Sequence, residues 1–158
     1  MAEFLVDTNV LSRIFTGDKN VKQFIETVDA AVCTVVYAEC LQGSKSNREK
    51  QIVESYLSRF EFCHLTSRIS TRAIDLIRTY SNTHGLLLAD ALIAATCLDG
   101  DLTLVTYNVN DFRSFRISSI SSRQRELSQE AQSLTSTLFH CPLWMNSPVA
   151  RCAPCRPE

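Results

Sequence analysis

The sequence has no surplus of positive charge: 16 lysines and arginines face 17 acids, for a formal net charge of −1. A protein that holds nucleic acid or membrane mainly by bulk attraction is thereby excluded, and any contact with a polyanion has to be local. Long apolar runs are missing too. The longest, Leu86 to Leu98, is interrupted by Asp90 and falls short of the ~20 residues that span a bilayer. The first seven residues carry two acids, Glu3 and Asp7, where a secretory signal needs a basic end, so a cytoplasmic protein with no membrane association is expected. The four glycines form neither a dinucleotide-binding nor a P-loop pattern. His64 and His84 stand without a serine or cysteine partner at a telling spacing, which removes support for nucleophilic catalysis.

What is present is enough for one ordinary domain. The chain has 158 residues, 45% of them hydrophobic, and a domain of this size buries roughly 70% of the surface its unfolded chain exposes. It needs no disulfide or metal merely to stay folded. Cys33, Cys40, Cys63 and Cys97 lie in apolar or element-like stretches, as reduced, packed thiols do. All four prolines and three of the seven cysteines follow residue 140. This shift in composition places a boundary near residue 120, dividing a domain over 1–120 from an extension over 121–158.

Short apolar segments alternate with segments of helical spacing. Strands are expected at residues 3–7, 31–34, 62–65 and 102–106. Between them, Val10, Leu11, Ile14 and Phe15 mark a first helix, and Asp18 caps a second bearing Val21, Phe24, Ile25 and Val28. Residues 36–43 read as helix, and Ser46 or Asn47 opens another with Ile52, Val53, Tyr56, Leu57 and Phe60 inward. A longer helix runs from Ser67 to Gly85, and a small-residue helix over 89–98 ends at Gly100. Parallel strands require long crossovers, and helices are the usual ones, so the pattern predicts an α/β domain with a mostly parallel sheet. In such sheets ligands gather beyond the carboxyl ends of the strands.

Four acids are sent towards that edge: Asp7 after the first strand, Glu39 in the helix after the second, Asp90 in the first turn of the small-residue helix, and Asp111 just past the last strand. Each has an ordinary reading alone, as a helix cap, a first-turn residue, a solvated helix position or a turn former. Together they would repel one another and raise each other's pKa unless a cation neutralised them. Magnesium and manganese prefer such oxygen ligands, and a metal so placed lowers the pKa of bound water and polarises a phosphoryl oxygen. Phosphodiester hydrolysis needs both operations, so the acids point to a metal-dependent nuclease.

Four segments then carry a resemblance: Asp7-Thr8-Asn9-Val10-Leu11, Val36-Tyr37-Ala38-Glu39-Cys40-Leu41-Gln42-Gly43, Leu88-Ala89-Asp90-Ala91-Leu92-Ile93-Ala94-Ala95-Thr96 and Leu104-Val105-Thr106-Tyr107-Asn108-Val109-Asn110-Asp111-Phe112. In this order and at these spacings they resemble the PIN-domain ribonucleases, over residues 3 to about 119, and in particular the VapC-type toxins of bacterial toxin–antitoxin pairs. The resemblance implies a three-layer α/β/α fold, with Asp7, Glu39, Asp90 and Asp111 as the metal-binding and catalytic quartet. Thr8, Asn9, Thr106 and Asn108 would support it by hydrogen bonding. It also implies one or two magnesium or manganese ions, RNA cleaved to a 3′-hydroxyl and a 5′-phosphate, a homodimer, and a small antitoxin whose tail covers the acidic groove. Asp99 or Asp101 is an alternative source of the fourth ligand.

Arg13, Arg113 and Arg116 lie near these motifs and are candidates for RNA phosphates. In the extension, Leu127, Ala131, Leu134 and Leu138 suggest a helix over 122–138, followed by a Pro- and Cys-containing tail. Its single Cys152-x-x-Cys155 and adjacent His140-Cys141 do not match a usual zinc spacing. Two rival functions remain: a PIN-like binding module that has lost cleavage, and a phosphatase of the haloacid dehalogenase type. The second needs another Asp two residues after the first, where Asn9 stands.

Overall fold

A computed structural model of the protein describes residues 1–108 and Phe112. The expectations for Asp111, Arg113, Arg116, the helix over 122–138 and the tail beyond it lie outside the described residues. The element order is β1 (Phe4–Val6), α1 (Thr8–Phe15), α2 (Lys19–Thr27), β2 (Ala30–Cys33), α3 (Thr34–Gly43), α4 (Asn47–Leu57), β3 (Glu61–Cys63), α5 (Ser67–His84), α6 (Leu88–Gly100) and β4 (Thr103–Val105).

Local chemistry sets most of these boundaries. The Asp18 carboxylate accepts from the Asn20 and Val21 N–H groups and starts α2. Ser46 accepts from the Glu49 N–H while the Glu49 carboxylate reaches back to the Lys45 N–H, so both sides of the α4 start are satisfied. Gly85, at φ 67°, ends α5 in the left-handed conformation that costs glycine least. Three expectations need correction. Thr34 opens α3 rather than closing β2, because Cys33 is extended and serves as the helix N-cap with no loop between. The third strand spans 61–63 rather than 62–65, since it is the sheet's edge and Leu65 is exposed. Ile52, expected inward on α4, is 58% exposed, while Val53 and Leu57 carry the buried stripe.

The four strands form one parallel sheet in the order β3-β2-β1-β4. Helices cover both faces, in three α/β/α layers. Leu5, Val6, Ala31, Val32, Cys33 and Leu104 are wholly buried, which is why the strands read as continuous apolar runs. Helix α6 packs extensively on α5 and also meets α3 and β4. Ala91, Ala94 and Ala95 are fully buried along it, and their small side chains permit those close approaches. Phe112 is also buried in this core. All four described cysteines are free, and three of them are buried, as expected of packed thiols. Among the described residues, no helix is long and apolar enough to cross a membrane.

The strand order positions the site. From β1 the chain steps outward to β2 and β3, then returns to place β4 on the other side of β1. Right-handed crossovers therefore send α5–α6 to the face opposite the earlier helices. Sheets of this kind form their ligand crevice where the direction reverses, here beyond the carboxyl ends of β1 and β4. Asp7 and Thr106 are the residues that directly follow those two strands.

Candidate active site

Asp7 stands at this edge and is only 7% exposed. Its N–H continues the β1–β4 ladder by donating to the Val105 carbonyl at 3.0 Å, which fixes the backbone where the strand ends. The side chain caps α1: Oδ1 accepts from the Thr8 N–H at 2.7 Å. Oδ2 accepts from Asn9 Nδ2 at 2.7 Å and from the Thr106 hydroxyl at 2.6 Å. The helix-cap reading and the functional reading of Asp7 are therefore compatible in one geometry.

The supporting residues brace one another. Asn9 Nδ2 also donates to Thr106 Oγ1 at 2.9 Å, and Asn9 Oδ1 accepts from the Tyr107 N–H at 3.1 Å. The Asn108 N–H donates to Thr106 Oγ1 at 3.0 Å. In this way the first turn of α1 is tied to the segment leaving β4. Thr8 makes the second connection. Its N–H holds Asp7, and its hydroxyl donates to Glu39 Oε2 at 2.5 Å, so one residue joins two carboxylates from β1 and α3.

Burial is the main cause that pushes the Asp7 carboxyl above its ordinary 3.8. The donors from Thr106, Thr8 and Asn9 pull it back, and repulsion from Glu39 raises it further. Three thiols surround this acid. Burial raises Cys33 and Cys97 and pushes Cys40 up to about 12, with Asp7 adding to each shift. They stay protonated at neutral pH and offer no soft anionic ligand. The site thus presents hard oxygen donors, a set that fits magnesium or manganese, and magnesium is commonly held by one or two carboxylates plus water.

Of the expected quartet, the described structure gathers Asp7 and Glu39. Among the described residues, no three His, Cys, Asp or Glu side chains form a group able to hold a metal. Asp90 lies in the first turn of α6, half-buried. Because α6 feeds β4 through Leu102, its first turn stands at the carboxyl edge, on the same side as Asp7. Asp99 and Asp101 lie at the far end of α6, which at 1.5 Å per residue is about 14 Å or more along its axis from Asp90. There Asp99 pairs with Arg68, and Asp101 closes the helix at φ 51°. Neither stands at the carboxyl edge with Asp7.

Arg13 is engaged locally. Its guanidinium lies 4.1 Å from the centroid of the Tyr107 ring and 3.9 Å from Asp18 Oδ2. Tyr107 was not singled out from the sequence. Its position between Thr106 and Asn108 was the available signal, but the contact with Arg13 is tertiary and has no local signature. His64 packs against Phe62, and His84 against Tyr80 and Thr83, which suits structural roles.

Comparison with known proteins finds similar sequences and folds. The PIN domain family model matches residues 4–117. Ribonuclease VapC10 of Mycobacterium tuberculosis is 33% identical over 116 residues, covering 70% of this chain and 86% of the relative. A toxin-antitoxin complex from Klebsiella pneumoniae contains a chain that is 30% identical, with a TM-score of 0.63 over 72% of this chain and 92% of that one. A chain of VapBC2 from Rickettsia felis, solved bound to a DNA fragment from their promoter, is 25% identical with a TM-score of 0.62, over 72% and 93% of the two chains.

Proposed function

Since this chain belongs to the PIN-domain family, we propose that it is a divalent-metal-dependent endoribonuclease and the toxin of a type II toxin–antitoxin pair. The observation that carries the reading is the pairing of Asp7 with Glu39 through Thr8 at the crevice between β1 and β4. Glu39 adds to the electrostatic cost of an ionised Asp7, and a cation held by the two would relieve it. The names of the ribonuclease relative and the toxin-antitoxin neighbours support the substrate and the antitoxin partner.

In this reading Asp7 and Glu39 hold magnesium or manganese together with Asp90 and, outside the described residues, Asp111. One or two such ions, when bound, make water more acidic and polarise a phosphoryl oxygen. The chain's own part is orientation. Thr106 and Asn9 fix the Asp7 carboxylate by its Oδ2, and Thr8 fixes Glu39, so neither acid turns away from the crevice. Asn108 holds the Thr106 hydroxyl in place through its N–H. Arg113 and Arg116 are expected on RNA phosphates. The protein is expected to act as a cytoplasmic homodimer, with residues 1–120 as the nuclease domain and 121–158 as an extension.

The test is cleavage of total RNA by the purified, antitoxin-free protein. Cutting that needs magnesium, stops with chelator, is lost in Asp7→Asn and leaves 3′-hydroxyl and 5′-phosphate ends is the expected result. An intact substrate under all conditions would leave only a binding module.

A further inference from the structure

Beside the acids, an aromatic ring is held by a frame that the metal chemistry does not require. The Tyr107 N–H donates to Asn9 Oδ1 at 3.1 Å, and its neighbour Thr106 donates to Asp7, so the ring is rooted one residue from the carboxylate's own support. Arg13 covers the ring, with the guanidinium 4.1 Å from its centroid. Arg13 is itself held by Asp18, through the ion pair and through the Asp18 N–H, which donates to the Arg13 carbonyl at 2.9 Å. Yet Tyr107 remains 37% exposed. The guanidinium takes one face of the ring, and more than a third of the residue still meets solvent.

The bracing fixes the ring in one orientation while leaving 37% of the residue open, beside the carboxylate's own support. A rigid aromatic plane is what an unstacked nucleobase requires, and a guanidinium on the back of the plane both orients it and places positive charge behind the stacked base. We propose that Tyr107 is a stacking platform for an RNA base next to the cleaved bond, with Arg13 as the positioning residue that holds its ring. This inference rests on the ribonuclease reading. It requires an unpaired base at that position, because bases in a duplex cannot be laid on a side chain. It also separates Arg13 from the phosphate contacts expected of Arg113 and Arg116.

Stacking and phosphate contacts differ in their response to salt. Losing one stacked base weakens binding by roughly 5- to 150-fold without changing the number of ions released. Losing one phosphate contact on a single strand instead lowers the slope of log K against log salt by about 0.7. The experiment is an anisotropy titration of a labelled single-stranded RNA of mixed sequence with the full-length protein, in chelator so that no strand is cut. Tyr107→Ala is expected to bind roughly 5- to 150-fold more weakly with an unchanged salt slope. Tyr107→Phe, which keeps the plane, stays within about twofold of the parent. Tyr107→Trp adds a fluorescence signal that RNA quenches, measured above the background of the chain's single tryptophan, Trp144. Parent-like binding by Tyr107→Ala, equal losses in the Phe and Ala variants, a fallen salt slope, or no quenching in the Trp variant would each overturn the platform while leaving the nuclease reading intact. Absence of RNA binding by the parent protein would overturn the platform, while the nuclease reading is decided separately by the magnesium-dependent cleavage assay.

Discussion

Removing one hydroxyl from the crevice isolates the physics of Asp7. In Thr106→Val the shape of a side chain that is 2% exposed is preserved, while Asp7 Oδ2 loses its 2.6 Å donor and the Asn108 N–H loses its acceptor. A hydrogen bond to a charged group contributes about 1.5–3 kcal/mol, so the variant should be less stable by that amount at neutral pH. For a chain of this size each kcal/mol moves Tm by about 2–4 °C, giving a drop of roughly 3–12 °C. The loss should depend on pH, with a definite sign. The folded Asp7 carboxyl lies above its ordinary 3.8 because of burial, with Thr106 pulling it down. Without the hydroxyl it rises further, because a donor that favours the charged form is gone. The deficit is therefore full above the variant's raised folded value and shrinks as pH falls through that value, where Asp7 becomes neutral. Urea unfolding of metal-free parent and variant at neutral and at mildly acidic pH measures it. Thr106→Ser, which keeps the hydroxyl, should recover most of the loss. A deficit below about 0.5 kcal/mol, or one independent of pH, would refute the view that this hydroxyl supports an ionised, buried carboxylate.

Glu39→Gln keeps an acceptor for the Thr8 hydroxyl but removes the repulsion on Asp7; titration of Asp7 by NMR should show its carboxyl moving down, while RNA cleavage falls by at least about 10-fold. Asp99→Asn should cut RNA within about twofold of the parent, because the lost pair with Arg68 lies at the far end of α6, and rates from a cleavage assay decide it. Asp101→Gly should raise stability in urea unfolding by about 0.5–1 kcal/mol, since glycine adopts the φ of 51° without a Cβ penalty. Ala95→Leu should lower stability by about 1–3 kcal/mol, because the fully buried alanine leaves no room against its neighbours, and the same assay reads it.

Much of the fold was legible because the sequence states its boundaries chemically. Asp18, Ser46 and Gly85 each act at the helix terminus that their residue type suggests, and doubly buried strands announce themselves as unbroken apolar runs. Ile52 misled because it sits among apolar residues on a helix with only one narrow buried stripe, and composition does not say which side of Val53 and Leu57 faces solvent. In the site, Asp7, Asn9 and Thr106 were legible as motif residues, and the structure joins them in one hydrogen-bonded group. The bracing of Tyr107 by Arg13 was not legible, since it depends on α1 and the β4 exit being brought side by side.

The central claim is that the negative charge at the carboxyl edge of β1 holds a divalent cation. Calorimetric titration of manganese into the chelator-stripped full-length protein tests it most directly, with Asp7→Asn and Asp99→Asn titrated alongside. Saturable binding by the parent and by Asp99→Asn, lost in Asp7→Asn, is the predicted result. Equal binding by the parent and Asp7→Asn, or no binding by the parent, would contradict it.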